Sequence, residues 1–188
     1  MVQFYLICPM AKLKLDDLKR ATVQEFKQQD KLPVTVILDS VRSMHNVGSI
    51  FRTSDGFAVE QIYLCGITAQ PPHREIEKTA LGATQSIEWS YFKDITDAIV
   101  KLRDEGYQII AIEQASSSVM LNEFEPPAEH KYALIFGNEV NGVSDEAMQM
   151  IDTCIEIPQF GTKHSFNIVV SAGIVLWDFF NKLTLKTQ

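Results

Sequence analysis

The stretch Cys154-Ile155-Glu156-Ile157-Pro158-Gln159-Phe160-Gly161-Thr162-Lys163-His164-Ser165-Phe166-Asn167 runs from a β-like segment through a polar bend into a long apolar helix. A chain that stops at Pro158, turns on Gly161 with Lys163 and His164, and restarts at Ser165 as a helix N-cap places bare backbone N–H groups beside a cation. Such a strand-to-helix connection has the makings of a binding site.

The same alternation recurs upstream. Pro33 opens a β-branched run at residues 34–39 that suits a buried parallel strand, followed by a loop into a helix closed by Gly56. Asn46 reads as that helix's N-cap; Gly48 and Arg52 are four apart on one face, so the missing side chain at Gly48 leaves room beside the guanidinium. Further strands are read at 61–65, 87–91, 107–112 and 132–136, and helices at 75–81, at 94–106 opened by Asp94, and from Ser144. Residues 114–118 form a polar loop, and 122–129 an acidic, proline-bearing surface connection. Residues 11–30 read as an amphipathic helix with Leu15, Leu18, Thr22 and Phe26 on its apolar side. The expectation is an α/β fold with a mostly parallel sheet and helices on both faces, divided into a helical extension (1–32) and the main domain (33–188).

At 188 residues, with 46% apolar and 22% charged content, the chain suits one ordinary soluble domain. The N-terminal segment lacks the basic region of a signal peptide, which predicts a cytoplasmic protein. The longest apolar tract, 166–180, is interrupted by Asn167, Ser171 and Asp178 and is shorter than the roughly 20 residues of a bilayer span, so no membrane is expected. Cys8, Cys65 and Cys154 have no disulfide or zinc spacing, and the four histidines are scattered, so no metal is expected. The net charge of −7 does not advertise nucleic-acid binding. Cations nevertheless gather at Arg42, His45, Arg52, His73, Arg74, Lys78, Lys163 and His164, while acids such as Glu123, Glu125 and Glu129 fall elsewhere. The last helix is apolar nearly all round, so a homodimer partner is the expected second cover. Trp177 and the phenylalanines are assigned to core or interface rather than to base stacking.

Three loops follow the carboxyl ends of strands, at 43–48, 137–142 and 158–165, where open α/β sheets bind ligands. Asn46-x-Gly48-x-x-x-Arg52, Gly137-Asn138-Glu139-x-x-Gly142 and Ile157-Pro158-x-x-Gly161-x-x-x-Ser165-x-Asn167 together resemble the three ordered motifs of the SpoU/TrmH RNA 2′-O-ribose methyltransferases. The resemblance runs from about residue 34 to the C-terminus, and 78–83 looks like the family's segment between the first two motifs. Gln159 and Phe166 stand where the family commonly has Met and Leu.

The resemblance implies a trefoil-knotted, Rossmann-like methyltransferase domain over 33–188, dimeric, with S-adenosyl-L-methionine as cofactor and RNA as substrate. It implies cofactor contacts at Ile112, Glu113, Gly137, Ile157, Ser165 and Phe166, largely through their backbones, and a catalytic group of Asn46, Arg52, Glu139, Ser165 and Asn167. Because a guanidinium stays protonated, Arg52 is read as holding a substrate phosphate and stabilising a developing alkoxide rather than as a base. Asn46 is read as orienting Arg52 or the ribose, Glu139 as anchoring Arg52 or accepting a proton, and Arg52, Lys163 and His164 as RNA contacts. With no room for a separate N-terminal RNA-binding domain, tRNA is favoured over rRNA. The alternatives are an rRNA substrate and an inactive RNA-binding dimer; a Rossmann dehydrogenase is disfavoured because no G-x-G-x-x-G follows a strand.

Overall fold

The structure, a computed structural model, describes residues 12–14 and 17–185. Its elements in chain order are α1 (Val23–Gln28), β1 (Leu32–Asp39), α2 (Met44–Gly56), β2 (Val59–Cys65), α3 (Arg74–Ala80), α4 (Ala83–Ser86), β3 (Glu88–Phe92), α5 (Ile95–Asp104), β4 (Tyr107–Ile112), β5 (Val119–Met120), β6 (Lys131–Phe136), α6 (Asp145–Met148), β7 (Thr153–Glu156) and α7 (Ile168–Phe180), with a π turn at Asn181–Leu185.

Seven strands form one sheet in the order β3-β2-β1-β6-β4-β7-β5, and every pairing is parallel. A parallel sheet needs both faces covered, and the strands meet that demand by alternation. Val34, Val36 and Leu38 of β1 join Leu134 and Phe136 of β6 on one face, beneath α2, α3 and α7. Ile37, Ile135, Ile109 and Ala111 point to the other face, beneath α5 and α6. Each fully buried aliphatic of this kind contributes roughly 1.5–3 kcal/mol.

The helix expected at 11–30 is confined, among the described residues, to Val23–Gln28, with Ala11, Leu15 and Asp16 outside them. The cause is local: Thr22 Oγ1 accepts the Glu25 N–H at 3.2 Å and Glu25 Oε2 accepts the Thr22 N–H at 2.7 Å. This capping box starts the helix at Val23, so Leu18 and Thr22 lie before it and Phe26 alone is buried. The two-residue β5, too short to leave a periodic signal, adds an edge strand beside β7.

The N-cap of α2 is Ser43, whose Oγ accepts the Asn46 N–H at 3.3 Å; Asn46 is inside the first turn. The N-cap of α7 is Asn167, not Ser165, its Oδ1 accepting the Val169 N–H at 2.9 Å. Residues 165–167 therefore remain non-helical. One face of α7 is fully buried through Ala172, Val175, Leu176 and Phe179, while Val170 and Trp177 on the remainder are 48% and 52% exposed. The span Ile168–Leu185 has the length and apolar content of a membrane helix, but its buried face packs in the sheet's core, and Lys182 within it bonds the carbonyls of Leu121 and Phe124 at 2.8 and 2.7 Å.

Gly48 serves a different purpose from the one its spacing suggests. A Cβ there would lie 2.2 Å from both the Ile76 carbonyl oxygen and Thr79 Oγ1, so the glycine lets α2 and α3 cross closely rather than making room for Arg52. Gly48→Ala is expected to cost about 1–3 kcal/mol by chemical denaturation, as overpacking does. Gly56→Ala, with nothing within 4 Å of the added carbon, should leave the midpoint unchanged or raised.

Candidate active site

The helices after β1 and β6 leave on opposite faces of the sheet, which marks a topological switch between these neighbouring strands. The crevice expected there is closed by hydrogen bonds. Asn138 Nδ2 donates to the Ser40 carbonyl at 2.6 Å. Glu139 Oε2 accepts the Arg42 N–H at 2.9 Å, while Oε1 accepts the Ser43 N–H at 3.0 Å and the Asn46 side-chain amide at 2.9 Å. Glu139 thus clamps the start of α2 and neutralises part of its positive end.

Burial pushes the Glu139 carboxyl up, but the hydrogen bonds from Arg42, its own backbone, Asn46 and Ser43 outweigh this and hold its pKa below the ordinary carboxylate value. A carboxylate so committed is a weak proton acceptor, and its bonds run to Arg42, Ser43 and Asn46 rather than to Arg52. Its geometry is that of a positioning residue.

The loop carrying Glu139 is rigid for sequence-specific reasons. Asn138 and Gly142 exchange backbone bonds of 2.8 and 2.9 Å, and Asn138 Oδ1 accepts the Val140 and Asn141 N–H groups at 2.9 and 3.2 Å. The fold-back is so tight that a Cβ on Gly137 would lie 2.1 Å from the Gly142 carbonyl carbon, hence the glycine. Behind it, the buried Asp39 accepts the Ser144 N–H at 2.8 Å and joins the ends of β1 and α6.

With the β1 side closed, the opening lies on the β6–β4–β7 side as a cleft of about 570 Å³, ample for a nucleoside-sized ligand. Ile112, Phe136, Ile157 and Phe166 supply apolar walls, and Glu113, Asn138, Ser165 and Asn167 supply polar ones. Glu113 braces the floor: its N–H donates to the Ile155 carbonyl at 3.1 Å and its Oε2 accepts the Val143 N–H at 3.2 Å. Gln114, expected only as part of a polar loop, donates from Nε2 to the His164 carbonyl at 2.8 Å and ties the third loop to β4. Ile168 and Ser171 of α7 line the cleft, so the helix presents its positive end to it.

All six residues assigned to the cofactor, Ile112, Glu113, Gly137, Ile157, Ser165 and Phe166, line this one cavity, together with Glu139, Asn167 and His164. Asn46, Arg52 and Lys163 do not line it. Arg52 is exposed in a separate surface groove with Ser49, Thr53, Lys78 and Thr79, and its guanidinium has no hydrogen-bond or ion-pair partner among the described residues. Beside it Lys78 is paired with Glu75 at 2.7 and 2.9 Å, and His45 Nε2 is 2.8 Å from the same carboxylate. These bonds, from His45 first and Lys78 second, take the Glu75 pKa down to about 2.

The clamp has a pH signature. Since the folded-state pKa of Glu139 is depressed, its contribution is complete above the ordinary value of 4.5 and is lost as pH falls through the depressed value. Glu139→Gln should therefore melt below wild type at neutral pH, with the gap in Tm narrowing as pH drops below 4.5, measured by thermal denaturation across pH.

Residues 33–177 match the SpoU rRNA Methylase family. The tRNA (guanosine(18)-2′-O)-methyltransferase of Aquifex aeolicus is 32% identical over 83% of this chain and 71% of its own length. The 23S rRNA (guanosine-2′-O-)-methyltransferase RlmB of Neisseria meningitidis serogroup B is 27% identical over 83% and 61%. The chain spans about two thirds of the length of the curated relatives it matches. Among solved structures, the A. aeolicus TrmH/SpoU tRNA modifying enzyme superposes with a TM-score of 0.77 at 25% identity, covering 88% of this chain and 82% of that one. The AdoMet-bound rRNA methyltransferase from Sinorhizobium meliloti superposes with 0.72 at 27% identity, covering 81% and 60%. With its three motif loops gathered at the carboxyl end of a parallel sheet, the chain belongs to the SpoU rRNA methylase family.

Proposed function

We propose that the protein transfers the methyl group of S-adenosyl-L-methionine to a ribose 2′-hydroxyl of RNA, with tRNA ahead of rRNA as substrate, as a cytoplasmic homodimer. The observation that carries this reading is the single cleft that all six cofactor-assigned residues line. Its volume, apolar walls and helix N-terminus fit an adenosine bearing an amino-acid tail. Relatives acting on tRNA and on rRNA both support the RNA class, and the Aquifex aeolicus tRNA enzyme, whose length is the better covered of the two, supports the order of preference.

When bound, the cofactor would supply an electrophilic methyl carbon to an in-line 2′-oxygen, with sulfur as the leaving group that keeps the C–S electron pair. The chain's part is positioning and charge. Gly137, Ile157, Ser165 and Phe166 would hold the cofactor against the floor made by Ile112 and Glu113. Arg52, outside that cleft and free of protein partners among the described residues, is assigned to the RNA: its permanent charge holds the phosphate beside the target ribose and stabilises the oxygen as its proton leaves through that phosphate to water. Asn46, held by Glu139, aligns the first loop toward the ribose, and Ser165 and Asn167 keep the third loop in shape. No metal is assigned a role. A trefoil-knotted domain is part of the reading; it is supported by family membership, and an experimental structure tracing the chain through the 137–144 loop tests it.

The dimer rests on the bare side of α7, where Trp177 lies 6.1 Å, centroid to centroid, from both Phe57 and Phe180. Trp177→Glu changes an exposed position and should give monomers by sedimentation velocity; an unchanged profile removes this interface.

Arg52→Ala should leave calorimetric cofactor affinity within about twofold while methyl transfer to hypomethylated RNA falls by roughly 100-fold or more, the scale of losing a charge that acts in the transition state. Lost cofactor binding with transfer per bound cofactor intact would reverse the assignment. Wild-type protein that binds cofactor yet methylates neither tRNA nor rRNA would favour the inactive RNA-binding dimer.

A further inference from the structure

Phe160 is 100% exposed, although the loop that carries it is held at both ends. Ile157 is buried before it, the His164 carbonyl is bonded by Gln114, and Asn167 caps α7 after it. The ring is therefore not left in water because its backbone is unanchored. Gln159 and His164, on either side in the chain, both line the cleft, so residues 160–163 form its rim. A Cβ added at the neighbouring Gly161 would meet nothing within 4 Å, so the chain next to the ring is uncrowded as well.

The charge around the ring selects its partner. Along the chain no acidic residue occurs between Glu156 and Asp178, while Lys163 and His164, three and four positions after Phe160, are both exposed; the Glu113 and Glu139 carboxylates in the cleft are taken up by backbone N–H groups. An aromatic face flanked by cations in an acid-free tract suits a nucleobase with its phosphate better than an apolar protein surface. We infer that Phe160 is a stacking platform for an unpaired base of the RNA next to the target ribose, with Lys163 contacting the adjoining phosphate. This departs from the expectation that the phenylalanines serve only core and interface, and it names a positioning residue for the RNA-methylation reading on which it rests.

Four proteins decide it: wild type, Phe160→Ala, Phe160→Leu and Phe160→Trp, assayed with hypomethylated total RNA for methyl transfer and with unmodified tRNA for binding by anisotropy. Phe160→Ala should raise KM for RNA roughly 5- to 150-fold, the range for one stacked base, with kcat within about twofold and calorimetric affinity for S-adenosyl-L-methionine unchanged. Phe160→Trp should restore KM and Phe160→Leu should not, because leucine keeps apolar area but has no π face. An unchanged KM in Phe160→Ala overturns the inference, as does equal rescue by leucine. A shifted sedimentation profile with unchanged KM assigns the ring instead to contact with a second copy of the chain. If wild type methylates no RNA, the functional reading fails, and tRNA binding alone decides: weaker binding by Phe160→Ala sustains the stacking role, and equal binding ends it.

Discussion

One carboxylate accepts three hydrogen bonds across the carboxyl end of the sheet, and the arrangement of the site follows from it. Glu139, on the loop after β6, takes the backbone N–H groups of Arg42 and Ser43 and the side-chain amide of Asn46. Helix α2 begins with N–H groups that have no partner in the helix, and a neighbouring strand loop supplies the acceptor. The bond network makes α2 and the cleft wall a single rigid body, so the orientation of Arg52 is set by the position of Asn46 and the cleft rather than by its own contacts. It also closes the crevice between β1 and β6 and leaves the cleft on the β6–β4–β7 side.

Close backbone approach makes the rest possible. Gly48 admits the carbonyl of Ile76 from α3, which brings Lys78 and Thr79 up to Ser49 and Arg52 as the far wall of a cationic groove. Gly137 lets its loop fold onto Gly142 and Val143, so Asn138 and Glu139 can reach the β1 loop. The two surfaces that result differ in chemistry. The cleft is walled by apolar side chains and backbone, whereas the groove offers an uncommitted guanidinium beside a lysine shared with Glu75.

Much of this was legible in residue order. The β-branched runs at β1, β4 and β6 and the glycine-bearing loops after them announce a parallel sheet with ligand loops at one end, and the six cofactor-assigned residues do converge. What escaped depends on competition between nearby groups. Asn46 and Ser165 both have plausible N-cap character, yet Ser43 and Asn167 hold the caps because their oxygens reach the free N–H groups once the loops are in place. Gln114 carried no signal because its partner is a backbone carbonyl 50 residues away. Glu139, read as anchoring Arg52 or accepting a proton, is instead held by Arg42, Ser43 and Asn46, and the Arg52 guanidinium has no partner among the described residues.

The sequence by itself determined the class of fold, the three loops and their glycines, because strand periodicity, helix punctuation and close backbone approach are encoded within a few residues of each position. Only the tertiary structure decided which side of β6 opens, which face of α7 stays bare, and that Phe160 stands in solvent on an anchored rim. Those outcomes turn on hydrogen bonds and packing between segments roughly 50 to 100 residues apart, and no local pattern carries that information.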